Sequence, residues 1–212
     1  MIETSPDTVV FDRPSEIGRI TIEPLELDRD LTLLHGWVTD PKARFWELQD
    51  ADLERVRAEY AEIDADDHHH AWLGRVNGRP IFLTESYLPA HSELADVYSV
   101  RSGDVGMHLL VAPTDRPQHG TTDAVLCTVL EFLFSNPRCE RVVVEPDVDN
   151  TKIATKNAAA GFVVDRVVRL PTKHASLSFC SRAQFADSTL ARSPLARRPQ
   201  PAPDSPTREV LR

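Results

Sequence analysis

VGMHLLVAPTDRPQHGTTDAVLCTVLEFLFSNPRCERVVVEPDVDNTKIATKNAAAGF, residues 105–162, carries the pattern on which the predicted architecture rests. It contains two apolar runs typical of buried strands, Val105–Ala112 and Arg141–Glu145. Each run is followed by a segment with helical spacing of its apolar residues, Thr121–Ser135 and Thr151–Ala159. Two strands that are each followed by a helix predict a βαβα unit whose helix N-termini point towards one ligand.

The sequence on either side adds antiparallel strands and further helices. Alternating residues predict a first strand, and the Asn77-Gly78 dipeptide is the strongest short hairpin signal. The predicted outer elements are a strand at Ile17–Glu23, helices at Asp28–Val38 and Asp52–Ile63, hairpin strands at Ala71–Val76 and Arg79–Leu88, a strand or loop at Leu94–Tyr98, and a second hairpin of Phe162–Leu170 with Ala175–Cys180. These elements predict an α+β fold: a mixed, mostly antiparallel sheet of six or seven strands with a central parallel βα pair and helices on both faces.

The 212 residues, 41% of them hydrophobic, suffice for one domain with a core. We predict this domain at residues 15–185, after a poorly ordered segment at 1–14. Residues 186–212 are rich in proline and arginine without periodicity, which predicts a disordered tail.

The formal net charge is −9, which is expected to repel nucleic acid and anionic membranes and to attract a cationic small molecule. No apolar run approaches the roughly 20 residues that cross a bilayer, and a signal-peptide pattern is missing, so we expect a cytoplasmic location. Cys127, Cys139 and Cys180 have no zinc-site or disulfide spacing. The run His68–His70 predicts no metal site, because consecutive residues of an extended chain point to opposite sides.

Two features of the central unit suit an anionic ligand. Gly106 inside the first strand indicates a bulge or a close backbone approach, and Pro113 ends the ladder and leaves free amides. The segment from Arg116 leads directly into a helix, so the amides of residues 119–122 can point at a pyrophosphate.

Asn150, Ala154 and Gly161-Phe162, which follow the second strand of the unit, resemble the Asn, Ala and Gly-Phe motif of the GNAT acyl-CoA N-acyltransferases. The resemblance extends over about residues 15–185 and implies that fold, in which the fourth and fifth strands splay apart around the pantetheine arm of acyl-CoA. The cofactor-binding residues that it implies are Leu109, Leu110, Val111, His119, Gly120, Thr121, Thr122 and Asn150. In the phosphate turn only Gly120 matches the family pattern, since Pro117 and Thr122 depart from it.

A closer resemblance is to the siderophore-biosynthesis branch of this family. The residues that carry it are Leu34 to Trp37, Phe45 to Asp50, Gly106 to Leu109, His119-Gly120 and Val144 to Asn150. These enzymes, above all those of desferrioxamine pathways and similarly those of aerobactin and mycobactin pathways, acylate an N-hydroxylated diamine or N-hydroxylysine to a hydroxamate. The resemblance implies acetyl-CoA or succinyl-CoA as co-substrate and no metal.

Asn157 stands where many GNAT enzymes have a tyrosine that protonates the leaving thiolate, so another arrangement is needed. The resemblance points to His108 and Asp147 as a catalytic pair, in which the carboxylate orients the imidazole and keeps it basic. Backbone amides at residues 109–111 would polarise the thioester carbonyl. A hydroxylamine nitrogen is less basic than an alkyl amine and needs no strong base to become a nucleophile.

The acceptor is expected to be a small cationic molecule. Trp37, Trp46 and Tyr87 are the candidates for the wall around its methylene chain, and Glu85 for its charged end. Two other functions stay open: a GNAT enzyme for an ordinary amine, and a non-catalytic module that binds acyl-CoA. The sequence fixes neither the acyl group nor the acceptor, and it is compatible with a monomer or a homodimer.

Overall fold

The computed structural model describes residues 9–193, and in them it forms one eight-stranded sheet with the order β1-β2-β3-β4-β5-β6-β8-β7. The strands are β1 (Phe11–Ser15), β2 (Gly18–Pro24), β3 (His69–Val76), β4 (Arg79–Tyr87), β5 (Asp104–Val111), β6 (Arg141–Val144), β7 (Val163–Arg169) and β8 (His174–Ser181). The helices are α1 (Leu27–Val38), α2 (Leu53–Asp64), α3 (Thr121–Ser135), α4 (Thr151–Ala159) and α5 (Arg182–Asp187), with 3-10 turns at Pro41–Trp46, Pro89–His91 and Glu93–Asp96. Only β5 and β6 pair in parallel among the described strands, so the predicted α+β architecture is confirmed.

The predicted βαβα unit is β5, α3, β6 and α4, and both helices have the predicted bounds. Helix α3 covers one face of the sheet through an apolar cluster that includes Ile20, Phe82 and Leu126. Helices α1 and α2 cover the other face through a cluster that includes Leu34 and Leu83. The prediction of helices on both faces is therefore confirmed.

Strands β5 and β6 separate beyond their first residues. They pair only from Asp104 to Gly106, whereas β5 continues along β4 as far as Val111. The amide of Ala112 donates to the carbonyl of Ile81 at 2.8 Å. Because successive amides of a strand point to opposite edges, Leu109 and Val111 direct theirs into the gap left by β6. Leu110, which was grouped with them, directs its amide towards β4 instead.

Gly106 does not form a bulge, because the register of β4 with β5 runs without a shift. Its role is to let a neighbouring side chain approach the backbone closely. The ring of Tyr87 lies against its backbone, and a Cβ added at Gly106 would come within 2.2 Å of that ring. Only glycine gives Tyr87 this position beside β5.

The folded unit begins earlier than predicted. Residues 11–14 lie in β1, which is the eighth strand beyond the six or seven expected. Arg13 of this strand is fully buried and its Nη1 lies 3.0 Å from Oε1 of Glu131 in α3. The alternation of apolar residues did not predict β1, because this strand has a charged residue on its buried face and contains a proline. An edge strand accommodates proline.

The folded unit also ends later than residue 185. Leu190 is buried, and its amide donates to the carbonyl of Ala159 at 2.9 Å. The predictions for residues 1–8 and 194–212 lie outside the described residues. None of the helices between residues 9 and 193 is long and apolar enough to cross a membrane.

Candidate active site

His108 of β5 lies between two buried carboxylates on the face of the sheet that α1 and α2 cover. Its Nδ1 is 2.8 Å from Oε2 of Glu85, its register partner on β4. Its Nε2 is 2.7 Å from Oε1 of Glu145, the residue that follows β6 across the gap. Both ring nitrogens are therefore hydrogen-bonded to carboxylates.

Two phenols and an indole hold these carboxylates in place. The hydroxyl of Tyr60 in α2 donates to Oε1 of Glu85 at 2.9 Å, and the indole nitrogen of Trp46 donates to Tyr60 at 3.0 Å. The hydroxyl of Tyr87 donates to Oε2 of Glu145 at 2.9 Å. Each of the four carboxylate oxygens thus has a partner, which fixes the His108 ring in one orientation.

The two carboxylates set the charge of His108. Burial alone would lower the pKa of the imidazole, but Glu145 and Glu85 raise it to about 10. Burial likewise opposes ionisation of Glu85, yet His108 and His69 lower the pKa of that carboxyl to about 2. The pKa of Glu145 is lowered by His108 in spite of its burial. At neutral pH the site is an imidazolium between two carboxylates, with a net charge of about −1.

We expect His108 to keep both ring protons at pH 7.5. In a ¹⁵N NMR titration its signals, assigned by comparison with His108→Gln, should change only as the pH approaches about 10. Because the folded pKa lies above the unfolded value of about 6.5, the stability from this group is full below pH 6.5. It is lost as the pH rises through about 10, so the Tm should fall over that range. A His108 ring that titrates near 6.5 would contradict the imidazolium.

A second histidine enters the site from the run His68–His70. On β3, His69 faces the site, with its Nε2 3.4 Å from Oε2 of Glu85. His68 stacks on His91 with 3.7 Å between ring centroids, and His70 lies beside Trp72. Within β3 the neighbouring His69 and His70 face opposite sides as predicted, whereas His68 precedes the strand and does not follow this alternation. His69, Glu85 and His108 bring one ligand atom each within 4.8 Å of one another, but the protons on His108 compete with any cation there.

A cavity of about 190 Å³ opens beside His108. Histidine and acidic side chains line it together with Leu88 and Leu94. The polar residues that line it are Asp66, His68, His69, Tyr87, His91, Ser92, Glu93, His108 and Glu145. One end of a small molecule in this cavity would lie against His108.

The structure does not bring the predicted partner Asp147 into contact with His108, whose carboxylate partners are Glu85 and Glu145. Asp147 accepts the amide of Asp149 at 2.7 Å and bridges to Ala175 of β8, so it shapes the bend after β6. Glu145 occupies the position across the gap that Asp147 was expected to occupy. The parallel register that pairs Gly106 with Val143 brings residue 145 level with His108, whereas residue 147 lies about 7 Å further along an extended chain.

Of the four residues predicted to bind the acceptor molecule, some lie at the site and others are held in the protein core. Trp46 lies at the site, with its ring centroid 6.1 Å from that of His108, and Tyr87 lines the cavity. Glu85 was expected to meet the acceptor's charge, but both of its oxygens are taken by Tyr60 and His108. Trp37 is buried in the cluster between α1, α2 and the sheet, so it supports the fold and does not line the cavity.

The predicted phosphate turn leads into α3. Gly120 is the N-cap of this helix, with a left-handed φ of 83° that favours glycine. Thr121 and Thr122 form the first turn of α3, directly after His119. The side chain of Asn150 caps α4 by accepting the amide of Ile153 at 3.4 Å.

Tyr60, His69 and Glu145 are the site residues that the sequence analysis missed. Tyr60 was predicted only as part of the helix Asp52–Ile63, and Glu145 only as the end of the strand Arg141–Glu145. For Glu145 a signal existed, since alternation along β6 places it on the same face as Val143.

Comparison with known proteins adds a family and a set of relatives. Residues 26–170 match the family described as acetyltransferase (GNAT) domain. The chain is 28% identical over 160 residues to the N-hydroxyputrescine acetyltransferase of Acinetobacter baumannii, a match that covers 75% of this chain and 76% of that protein. It is 29% identical over 151 residues to the N(6)-hydroxylysine O-acetyltransferase of Escherichia coli, covering 70% of this chain and 48% of that protein. The chain thus spans about half the length of the second relative.

Among solved structures, an uncharacterized protein from Bacillus halodurans matches with a TM-score of 0.78 and 26% identity. The match covers 82% of this chain and 91% of that one. The overall fold is therefore shared with a protein whose structure was determined experimentally.

Proposed function

Because this chain belongs to the GNAT acetyltransferase family, whose domain matches residues 26–170, we propose that it transfers an acyl group from acyl-CoA to the hydroxylated nitrogen of an N-hydroxylated diamine. The product is a hydroxamate of the kind used in siderophores. The observation that carries this proposal is the position of His108, hydrogen-bonded between Glu85 and Glu145 at the end of a cavity that Asp66 and Glu93 also line. The named substrates of the relatives support it, since both are N-hydroxylated amines.

The charge of His108 favours a hydroxylamine over an alkyl amine. An alkyl amine arrives as an ammonium ion at neutral pH and needs a base to become a nucleophile. His108 is already protonated, because Glu145 and Glu85 raise its pKa to about 10. A hydroxylamine nitrogen is less basic, since the attached oxygen withdraws electron density, and it arrives unprotonated. The site therefore suits an acceptor that needs no prior deprotonation.

Proton transfers within the site complete the proposed reaction. The hydroxylamine nitrogen bonds to the thioester carbon, becomes strongly acidic, and passes its proton to the carboxylate of Glu145. The C–S bond then breaks, and the imidazolium of His108 gives a proton to the departing thiolate. The proton on Glu145 returns to His108 across their 2.7 Å hydrogen bond. The products are the hydroxamate and CoA as a free thiol, and the site regains its initial charge.

The acyl donor fits the gap between β5 and β6. The amides of Leu109 and Val111 point into it, and we assign them to the thioester carbonyl, where they stabilise the developing oxyanion. The N-terminus of α3, with His119, Gly120, Thr121 and Thr122, is assigned to the pyrophosphate of CoA. The acceptor enters from the opposite side through the cavity, where Asp66 and Glu93 suit the ammonium at its far end.

A comparison of acceptors tests the proposal. CoA thiol release would be measured with acetyl-CoA and succinyl-CoA against N-hydroxycadaverine, N-hydroxyputrescine, N-hydroxylysine and plain cadaverine. We expect kcat/KM at pH 7.5 to be at least about 100-fold higher for a hydroxylated diamine than for cadaverine. Equal turnover of cadaverine would indicate an ordinary amine acetyltransferase. CoA binding in calorimetry without turnover of any acceptor would indicate a non-catalytic module.

A further inference from the structure

We propose that Lys173 binds a carboxylate at the far end of the acyl group, so that the preferred donor is the CoA thioester of a short dicarboxylic acid such as succinyl-CoA. This inference rests on the proposed function, because it concerns the donor of the same reaction. The sequence left the acyl group open between acetyl and succinyl, and the position of this lysine separates the two.

Lys173 lies in the turn between β7 and β8 and reaches the site. Its Nζ is 3.8 Å from Oε1 of Glu145, the oxygen that is also 2.7 Å from Nε2 of His108. The turn is closed by the amide of Leu170, which donates to the carbonyl of Lys173 at 2.9 Å. The ammonium is therefore held beside the two groups that are proposed to exchange protons with the substrates.

The ammonium of Lys173 has hydrogen-bonding capacity to spare. The side chain is only 16% exposed, and its contact with Glu145 at 3.8 Å is too long for a hydrogen bond. Its Nζ makes no hydrogen bond within residues 9–193, yet it is not one of the fully enclosed polar atoms of that part of the chain that lack one. An anion can therefore reach it. A cation with so little exposure and one long contact costs free energy that such an anion recovers.

The surroundings of Lys173 favour the donor over the acceptor as the source of that anion. Lys173 does not line the cavity assigned to the acceptor, so it meets Glu145 from outside that space. The neighbouring Thr172 donates to Oε1 of Glu47 at 3.2 Å, just after the 3-10 turn Pro41–Trp46. Strand β8 lies on the β6 side of the gap, whereas this segment packs on the β4 side. The contact thus bridges the gap in which the thioester is placed.

The length of the acyl chain decides whether its far end meets Lys173. In a succinyl group the second carboxylate lies three carbon–carbon bonds from the thioester carbon, a span of about 4 Å. A thioester carbon beside Glu145 places that carboxylate within reach of an ammonium 3.8 Å from the same side chain. A charge-assisted hydrogen bond between the two is among the stronger polar contacts. An acetyl group ends one bond from the thioester carbon and leaves the ammonium without this partner.

The test compares two donors in the wild type and in variants, with N-hydroxycadaverine as acceptor. We expect the wild-type kcat/KM to be about 10-fold higher for succinyl-CoA than for acetyl-CoA. Lys173→Met keeps the length of the side chain without its charge, and it should abolish this preference, chiefly by raising the KM of succinyl-CoA. Lys173→Arg should retain most of it. Arg169→Met is the matched control, because it removes an exposed cation from the same hairpin.

The ratio of the two donors isolates the carboxylate contact, because any effect of Lys173 on Glu145 acts on both donors alike. A wild type without a preference for succinyl-CoA would overturn the inference. Equal weakening of both donors by Lys173→Met would overturn it too, and would make Lys173 a support for Glu145 only.

N-hydroxylysine as a second acceptor distinguishes the other source of a carboxylate. If Lys173→Met lowered kcat/KM for N-hydroxylysine relative to N-hydroxycadaverine with acetyl-CoA, Lys173 would bind the acceptor, and the inference would fail. In each of these cases the transfer of an acyl group to a hydroxylated amine leaves the proposed function standing. If the wild type accepts no hydroxylated amine with either donor, the proposed function fails and the inference fails with it.

Discussion

His108→Ala should lower kcat by about 10³-fold, within the range for loss of a general acid or base. The substitution removes the proton donor for the thiolate, and it leaves Glu85 and Glu145 facing each other without a cation. Their pKa values, now held low by His108, should rise so that one of them takes up a proton. Thiol release under saturating acyl-CoA measures the effect.

The same substitution should also lower stability, because it breaks two partly buried ion pairs of 2.7 and 2.8 Å. A loss of about 1–3 kcal/mol in the free energy of unfolding is expected at pH 7, less than for a fully buried pair because solvent screens the partly exposed ring. His70→Ala serves as the control, and circular dichroism would show that each variant is folded at the assay temperature. A folded His108→Ala enzyme with a kcat within about 3-fold of wild type would exclude the catalytic role.

Glu145→Gln should lower kcat by about 10²-fold. The amide keeps the size of the side chain and can still accept the hydroxyl of Tyr87, but it cannot take the proton from the hydroxylamine nitrogen. It also removes one of the two charges that raise the pKa of His108. The pH at which the His108 ring loses its proton should therefore fall in this variant, and an NMR titration measures that shift.

Asp147→Asn is the matched comparison for Glu145→Gln, since both remove a carboxylate beyond β6. Its side chain accepts the amide of Asp149 and has no contact with His108. We expect its kcat to stay within about 3-fold of wild type. If Asp147→Asn lowered kcat more than Glu145→Gln, Asp147 and not Glu145 would be the catalytic carboxylate.

The central unit was predictable because its signals are local. The bounds of α3 and α4 follow from apolar spacing and from Gly120 and Asn150 at their N-termini. The gap between β5 and β6 came from the family resemblance, since no local pattern specifies where two parallel strands separate.

The site was only partly predictable, because it depends on strand register. The tight hairpin turn at Asn77-Gly78 pairs Val76 with Arg79. If this pairing of β3 with β4 continued without a shift, His70 would lie opposite Glu85. An irregularity between Gly74 and Arg75 shifts the pairing by one residue and places Ala71 opposite Glu85 and His69 opposite Tyr87. A one-residue shift moves every side chain to the other face of a strand. His69 therefore reaches the site through a bulge that the sequence did not indicate.

Tyr60 and Trp46 illustrate a different limit. Trp46 was predicted to line the acceptor site, and Tyr60 lay within a predicted helix; the rings of both lie in or against the cluster under α1 and α2. Their polar atoms form the chain from Trp46 through Tyr60 to Glu85. Such a chain depends on three elements that meet in space, and residue spacing in one segment cannot reveal it.

The identity of the product tests the proposed reaction most directly. Purified enzyme would be incubated with acetyl-CoA and N-hydroxycadaverine at pH 7.5, and the product examined by mass spectrometry and by its colour with iron(III). We predict a singly acetylated product that forms the coloured iron(III) hydroxamate, because the acyl group is on the hydroxylated nitrogen. A singly acetylated product without that colour would place the acyl group on the oxygen or on the far amine, and would contradict the proposed N-acyl transfer.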